Sequence, residues 1–370
     1  MDIKAAERTR REIIRLCHAG LDSRALRQRL LQQLRKATQI GAFWAATVDP
    51  ATLLFTGSLV EGIPEHATPA LLANEFLHDD VNKFVALARG VPVNTLYEAT
   101  GGDLAQSARY REILVPLGMG DELRAALMSD GACWGVLCLH RELHDPAFTV
   151  GDIAFLRQLT PHIAEGLRAA LLLDDVVAVP AADGPGLVLI ADDFSVIETT
   201  PAADGLLAEM GDWPRRDEVP QAVRAVAARL WELERAGMPD PARMPRVRVR
   251  TRAGRWLVLH AARLSSVGAN GATAVMLEQA PPVEVAPLVL HAYALTAREA
   301  RVAQLVLQGL ATREIAERIC ISALTVQDHL KAVFEKTGVN SRRALVAQVF
   351  AQHHKPRITG RSLDMASDSH

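Results

Sequence analysis

LTAREARVAQLVLQGLATREIAERICISALTVQDHLKAVFEKTGVNSRRALVAQVF, residues 295–350, carries the densest local signals in the chain. Thr296 and Glu299 have the spacing of a capping box, in which a hydroxyl and a carboxylate satisfy the orphan amides of a helix start. In the helix that follows, Val302, Leu305 and Val306 share one face, and Gly309 supplies a left-handed stop. Thr312 is expected to cap a second helix with Ile315, Ala316 and Ile319 inward. After a tight break at Cys320 and Ile321, Ser322 caps a third helix. Its apolar stripe is Val326, Leu330, Val333 and Phe334, and its outer face is Gln327, Asp328, Lys331 and Glu335. Gly338 ends it, and Ser341 caps a fourth helix with Leu345, Val346 and Val349 inward. Two short helices joined by about three residues, the second with a polar outer face, form a helix-turn-helix pattern. Periodicity alone leaves two uses open, DNA binding and a plain four-helix bundle for protein contact. Cys320 lies between Ile319 and Ile321 and is expected to fill core rather than sense redox, and His329 beside the stripe is expected to be a core or capping residue rather than a metal ligand.

Whole-chain composition hides this module. The 370 residues carry 41 Lys+Arg against 43 Asp+Glu, a net charge of -2 that makes no case for nucleic acid. From Leu295 onward there are 11 basic and 7 acidic residues, net +4, which leaves -6 on the rest. A small basic module thus sits on an acidic body, a weak pointer to nucleic acid. Cys17, Cys133, Cys138 and Cys320 have no CxxC spacing, so neither a disulfide framework nor a cysteine-based zinc module is expected. Residues 1–12 are charged rather than apolar, and no apolar run approaches the roughly 20 residues of a membrane span. A cytoplasmic protein without membrane association is the expectation. Three Tyr in the whole chain argue against an aromatic-rich binding surface.

The quoted stretch closely resembles the DNA-binding domain of the LuxR family of bacterial transcription factors. The resemblance rests on Leu295-Thr296-Ala297-Arg298-Glu299, on Gly309 with Glu314-Ile315-Ala316, on Ile321-Ser322 with Thr325-Val326 and His329-Leu330, and on Lys336, Gly338-Val339 and Ser341-Arg342. It implies that the third helix enters the major groove as part of a dimer. The DNA-binding candidates are then Thr325, Gln327, Asp328, Lys331, Lys336, Arg342 and Arg343. Gln327 could read adenine and Asp328 could accept from cytosine N4. Where the family usually has a base after Thr-Val, this chain has Gln327, and Asp328 places an acid toward phosphates unless it points away from the bases. Lys331 suits a base or phosphate contact, and Lys336, Arg342 and Arg343 suit phosphates. Two arginines in the first turn of a helix oppose its macrodipole, which a neighbouring anion would relieve.

Upstream, residues 174–185 and 280–290 are rich in Pro and small residues and read as linkers, and 354–370 reads as a disordered tail. Residues 1–173 contain two helical patterns, one with Leu26, Leu30, Leu31 and Leu34 on a face. Short apolar runs follow, then a hairpin signal at Ser129-Asp130-Gly131 and a long helix over 152–173 broken or kinked at Pro161. In that helix Leu156, Leu159, Ile163, Leu167 and Ala170 form a coiled-coil-like seam, either for self-association or for packing on its own sheet. This order resembles a GAF domain, which implies small-molecule sensing and dimerisation. Residues 186–279 read as strand, strand, helices and three antiparallel strands, similar to a PAS domain. Thr200 stands where that family usually has Asn. The fold class expected is therefore multidomain: two α+β sensory domains, GAF-like and PAS-like, before an all-α four-helix helix-turn-helix domain over 291–353.

The regulated input has no motif of its own. Asp192-Asp193 lack the later phosphoacceptor of a receiver domain, and the chain has no Gly-Lys pair for a P-loop. Two linker-separated modules fit an acyl-homoserine-lactone receptor poorly. His140 and His144 precede Pro146, where a metal-binding helix is unexpected, and His78-Asp79 lack partner histidines. Cys133 and Cys138 could sense redox. Arg246, Arg248, Arg250 and Arg252 alternate with apolar or small residues, either as a solvated sheet face or as a surface for an acidic partner. The chain is expected to be a homodimeric, non-enzymatic regulator of transcription. Its expected partners are double-stranded DNA and a small-molecule effector, with RNA polymerase as a further candidate and no cofactor. The rival classes are a sensor whose C-terminal helices bind a protein, and a small-molecule hydrolase with a regulatory tail.

Overall fold

A computed structural model describes residues 3–173, 184–211, 219–238, 244–264 and 272–351. It divides into two units, 1–280 and 281–370. The stretches 174–183 and 352–370, which hold most of the first expected linker and all of the expected tail, lie outside the described residues.

The first unit contains two antiparallel five-stranded sheets. Helices α1 (Ile3–Cys17) and α2 (Ser23–Ala37) precede strands β1 (Ala42–Val48) and β2 (Phe55–Glu61). Helices α3 (Thr68–Leu77) and α4 (Phe84–Arg89), strand β3 (Val93–Thr95) and the short helix α5 (Leu96–Ala99) follow. Two 11-residue strands, β4 (Met119–Ser129) and β5 (Ala132–Glu142), then lead to α6 (Val150–Ala170). The sheet order is β2-β1-β5-β4-β3. Asp130 and Gly131 both have positive φ, and Ser129 pairs with Ala132, so β4 and β5 meet in the tight two-residue turn expected of a twisted hairpin. Thr149 and Asp152 close a capping box on α6, and Pro161 is accommodated inside it. The apolar seam of α6 is buried against α1, β4 and β5 of its own chain, with Leu159 and Ile163 at 0% exposure. That face is therefore spent on the domain's own core.

The second sheet contains β6 (Gly186–Ile190), β7 (Val196–Thr199), β8 (Arg246–Arg250), β9 (Trp256–Arg263) and β10 (Thr273–Gln279), with helices α7 (Pro201–Met210) and α8 (Gln221–Arg235). Its order is β7-β6-β10-β9-β8, the same path through the sheet as the first. One apolar core runs through both: Val48, Phe55 and Phe84 belong to the same buried cluster as Val223, Val247 and Leu257. The joint is also polar. Arg248 donates from Nε and Nη2 to the Asp49 carboxylate at 2.9 and 2.6 Å, and its backbone amide donates to the same group at 3.1 Å. Asp49 is 2% exposed. Of the arginines of β8, Arg248 thus meets the end of β1, Arg250 donates to the Leu173 carbonyl, and Arg246 is exposed.

The second unit is all α. Residues 280–290 were expected to link; instead helix α9 (Pro282–Ala292) occupies most of that stretch. Its Pro282 sits in the first turn, where a missing amide costs nothing, and Val285, Leu288 and Val289 are buried. Four further helices follow: α10 (Ala297–Leu307), α11 (Thr312–Arg318), α12 (Ala323–Thr337) and α13 (Arg342–Ala351). Thr296 and Glu299 form the expected capping box, and Ser322 caps α12. The cap of α11 is Ala311, one residue before the expected Thr312, with Glu314 accepting from the Ala311 amide. Between α11 and α12 the chain turns through Cys320 at φ 55°, a left-handed conformation uncommon outside Gly. Cys320 is exposed, contrary to the core-filling expectation.

Candidate functional site

Two arrangements have the geometry of functional sites, one in each unit. In the second, α12 packs Val326, Leu330 and Val333 against α10 and α11. This turns Gln327, Asp328, Lys331 and Glu335 to solvent. Fifteen residues give the helix a length of about 22 Å, ample for the roughly 12 Å major groove. The Thr325 hydroxyl lies 2.8 Å from that of Ser322, within the cap. Lys336 donates to the Glu299 carboxylate at 2.7 Å and to the Ala294 carbonyl at 3.3 Å. Arg342 donates to the Leu310 carbonyl and the Thr312 hydroxyl, both at 2.8 Å. Both cations thus have intramolecular partners that tie helices together. Burial raises the Glu299 pKa, but the hydrogen bonds from Lys336 and the Thr296 amide lower it, and the net position is below the usual carboxylate range. Arg343 is exposed.

In the first unit a cavity of about 120 Å³ opens between the first sheet, α3 and the start of α8. Its apolar wall is Trp44, Phe55 and Phe84, with Trp44 stacked near Phe84 at 5.6 Å and edge-on to Phe55 at 4.9 Å. The scarcity of Tyr gave no hint of this box, because Trp and Phe build it. Its floor is a buried charge cluster. Arg109 donates to Glu122 Oε2 from Nε and Nη2 at 2.9 and 2.7 Å, and Arg124 Nε lies 3.0 Å from Glu122 Oε1. Arg124 also reaches Glu75 at 2.8 Å. Burial pushes the Glu122 carboxyl up, but the two guanidiniums outweigh this and hold it well below the usual range. Sequence reasoning missed this cluster; its only traces were His140, weighed as a metal ligand, and Cys138, weighed as a redox sensor.

Glu122, Cys138 and His140 bring one donor atom each within 4.8 Å of one another, a spacing that could hold a metal. The surroundings oppose it. Arg109 and Arg124 already neutralise Glu122, and burial beside that carboxylate pushes the Cys138 thiol well up, so the thiolate a metal would need is disfavoured. Cys133 is also buried, with its thiol pushed up to about 11, which makes neither cysteine a reactive redox sensor.

Burial lowers the His140 imidazole to about 4, against the opposing pull of Glu122. The unfolded imidazole gains its proton as pH drops below 6.5, and the folded one resists until about 4. The contribution to stability is therefore complete above 6.5 and is lost progressively toward 4. Glu122 adds to the same slope below the ordinary carboxylate range. Urea unfolding should show a lower midpoint at pH 5 than at pH 7 in the wild type, with a smaller difference in His140→Gln. Equal midpoints in the wild type would refute the assignment.

Residues 293–349 match the family described as bacterial regulatory proteins, luxR family, and residues 22–167 match the GAF domain. The chain carries a luxR-type DNA-binding domain and a GAF domain. The solved structures similar to it include the GAF domain/HD domain protein from Geobacter sulfurreducens, at 18% identity and a TM-score of 0.33, covering 42% of this chain and 99% of that one. They also include the sensor region of a sensor histidine kinase, at 16% identity and a TM-score of 0.19, covering 65% and 84%. No curated protein matches the chain. The GAF match takes in the aromatic wall and the charge cluster, and the luxR match takes in all of α10 to α12. Among the described residues no helix is long and apolar enough to cross a membrane.

Proposed function

We propose that this protein is a homodimeric, cytoplasmic, sequence-specific regulator of transcription whose first unit senses a small-molecule effector and governs operator binding by the luxR-type domain. The observation that carries the reading is α12, with its apolar stripe buried and Gln327, Asp328 and Lys331 on the opposite, exposed face. A recognition helix needs that division: packing fixes its angle and leaves the outer side chains free for base edges. Lys331 is the principal base or phosphate contact, Gln327 and Asp328 are base readers, and Arg343 is a phosphate contact. Thr325 positions the start of the helix, and Lys336 and Arg342 support the DNA-facing elements through their own intramolecular bonds. Two recognition helices related by two-fold symmetry would read half-sites about one helical turn apart. The second sheet is read as the PAS-like domain, supported by its order of two strands, helices and three antiparallel strands. RNA polymerase is a candidate partner of the bound dimer.

Site selection with the full chain should yield a symmetric consensus. Lys331→Ala should weaken binding to it by about 1–3 kcal/mol, or roughly 5- to 150-fold. Asp328→Ala should change the preference at one base-pair position. Affinity should fall steeply with salt, as phosphate contacts require. Unchanged affinity in Lys331→Ala together with a flat salt dependence would favour the protein-docking alternative.

A further inference from the structure

The sensing cavity is not a property of the GAF domain alone. Its floor comes from the first sheet and its aromatic wall from that sheet and α4, but Val219, Gln221 and Arg224, at the start of α8 in the second domain, line its other side. Arg224 Nη1 reaches across to Glu65 at 2.6 Å, closing the rim with an ion pair, and α8 packs on both α3 and β2.

The charges of the lining are matched. Glu65 pairs with Arg224, Glu75 with Arg124, and Glu122 with Arg124 and Arg109. His140 is neutral near pH 7. A charged ligand would bring an uncompensated charge against an aromatic wall whose neighbouring ionised groups are already paired, which disfavours it relative to a neutral one. A cavity of about 120 Å³ is close to the roughly 150 Å³ that accepts a benzene ring. Three lining residues each hold a buried nitrogen without a hydrogen-bond partner in the protein: Arg124 Nε, which lies 3.0 Å from Glu122 Oε1, His140 Nδ1 and Arg224 Nε. An imidazole nitrogen accepts from a hydroxyl or N–H, and a guanidinium N–H donates to an oxygen.

From this we propose that the cavity is a binding site shared by the two sheet domains, and that it takes an uncharged, flat, ring-sized molecule bearing a hydroxyl or N–H. The proposal rests on the sensor reading above and adds its ligand class and the element that registers occupancy. Because α8 supplies one wall, filling the cavity bears directly on the contact between the two domains. The Glu65–Arg224 pair is the part of that contact nearest the mouth.

The test uses the full chain with four probes: phenol, indole, benzoate and benzylammonium, titrated by calorimetry and ligand-observed NMR. Phenol or indole should bind saturably, and both charged probes at least tenfold more weakly. Arg224→Ala, a change at the rim, should weaken the neutral probe at least fivefold with unchanged circular dichroism. Leu71→Trp, which projects bulk into the cavity, should abolish binding. If Leu71→Trp does not fold, the neutral-to-charged ratio and Arg224→Ala decide. Charged probes binding as well as neutral ones, no saturable binding of any probe, or full affinity in Arg224→Ala would each overturn the proposal. DNA binding by the same preparation separates the two readings. If the selected operator is bound but the probes are not, only the ligand assignment fails. If no DNA is bound, the regulator reading fails.

Discussion

Glu122→Ala is expected to lower the unfolding free energy of the first unit by about 3–5 kcal/mol, the usual cost of removing one partner from a buried ion pair. Glu122 is 1% exposed and Arg109 is fully buried. Arg109 keeps bonds to the Asn74 side chain at 2.9 Å and to the Val81 carbonyl at 3.3 Å, but loses both of its bonds to Glu122. Arg124 keeps Glu75 and its place over the Phe84 ring at 4.6 Å, but loses its nearer carboxylate. Arg124 would then keep only Glu75 as a carboxylate partner, and Arg109 only the buried Asp80 carboxylate at 3.8 Å. Glu122→Gln keeps the shape and one acceptor, so its loss should be smaller. Chemical denaturation decides the matter: an Ala variant within about 1 kcal/mol of wild type would mean that the cluster is far more hydrated than its burial indicates. Domains are typically stable by only about 5–15 kcal/mol, so a loss at the upper end would remove a third or more of the total.

Asp49→Ala is the second large effect, about 3 kcal/mol, at the low end of the same range because the Arg248 side chain is 13% exposed. Asp49 takes three hydrogen bonds from Arg248 and is the principal polar joint between the two sheets. The loss should alter cooperativity as well as stability. Wild-type unfolding of residues 1–280 should be a single transition, and the variant should show a calorimetric enthalpy exceeding the van't Hoff value as the sheets begin to melt apart. A cycle of Asp49→Ala, Arg248→Met and the double variant isolates the pair. A coupling energy below about 0.5 kcal/mol would show that the shared apolar core, not this pair, holds the sheets together.

These two sites show where sequence reasoning stopped. The α10 capping box, the Ser322 cap and the stripe of α12 were legible because each is written within three or four residues of itself. The β4–β5 hairpin was legible for the same reason, its turn being local. The four arginines of residues 246–252 were legible as a pattern but not as a contact, because Asp49 lies 199 residues from Arg248. The helix over Pro282–Ala292 was hidden by its prolines, which read as a linker until Pro282 was seen to occupy a first turn.

Local spacing in the sequence determined that the C-terminal module is a helix-turn-helix and which face of α12 is polar, because caps and 3.6-residue periodicity act over one helical turn. The tertiary structure decided which charges are engaged. It set Lys336 on Glu299 and Arg342 on Leu310 and Thr312, paired Glu122 with two arginines, and closed an aromatic cavity with a helix from the next domain. Those outcomes depend on which side chains folding brings within hydrogen-bond range across tens or hundreds of residues, a proximity that no local pattern encodes.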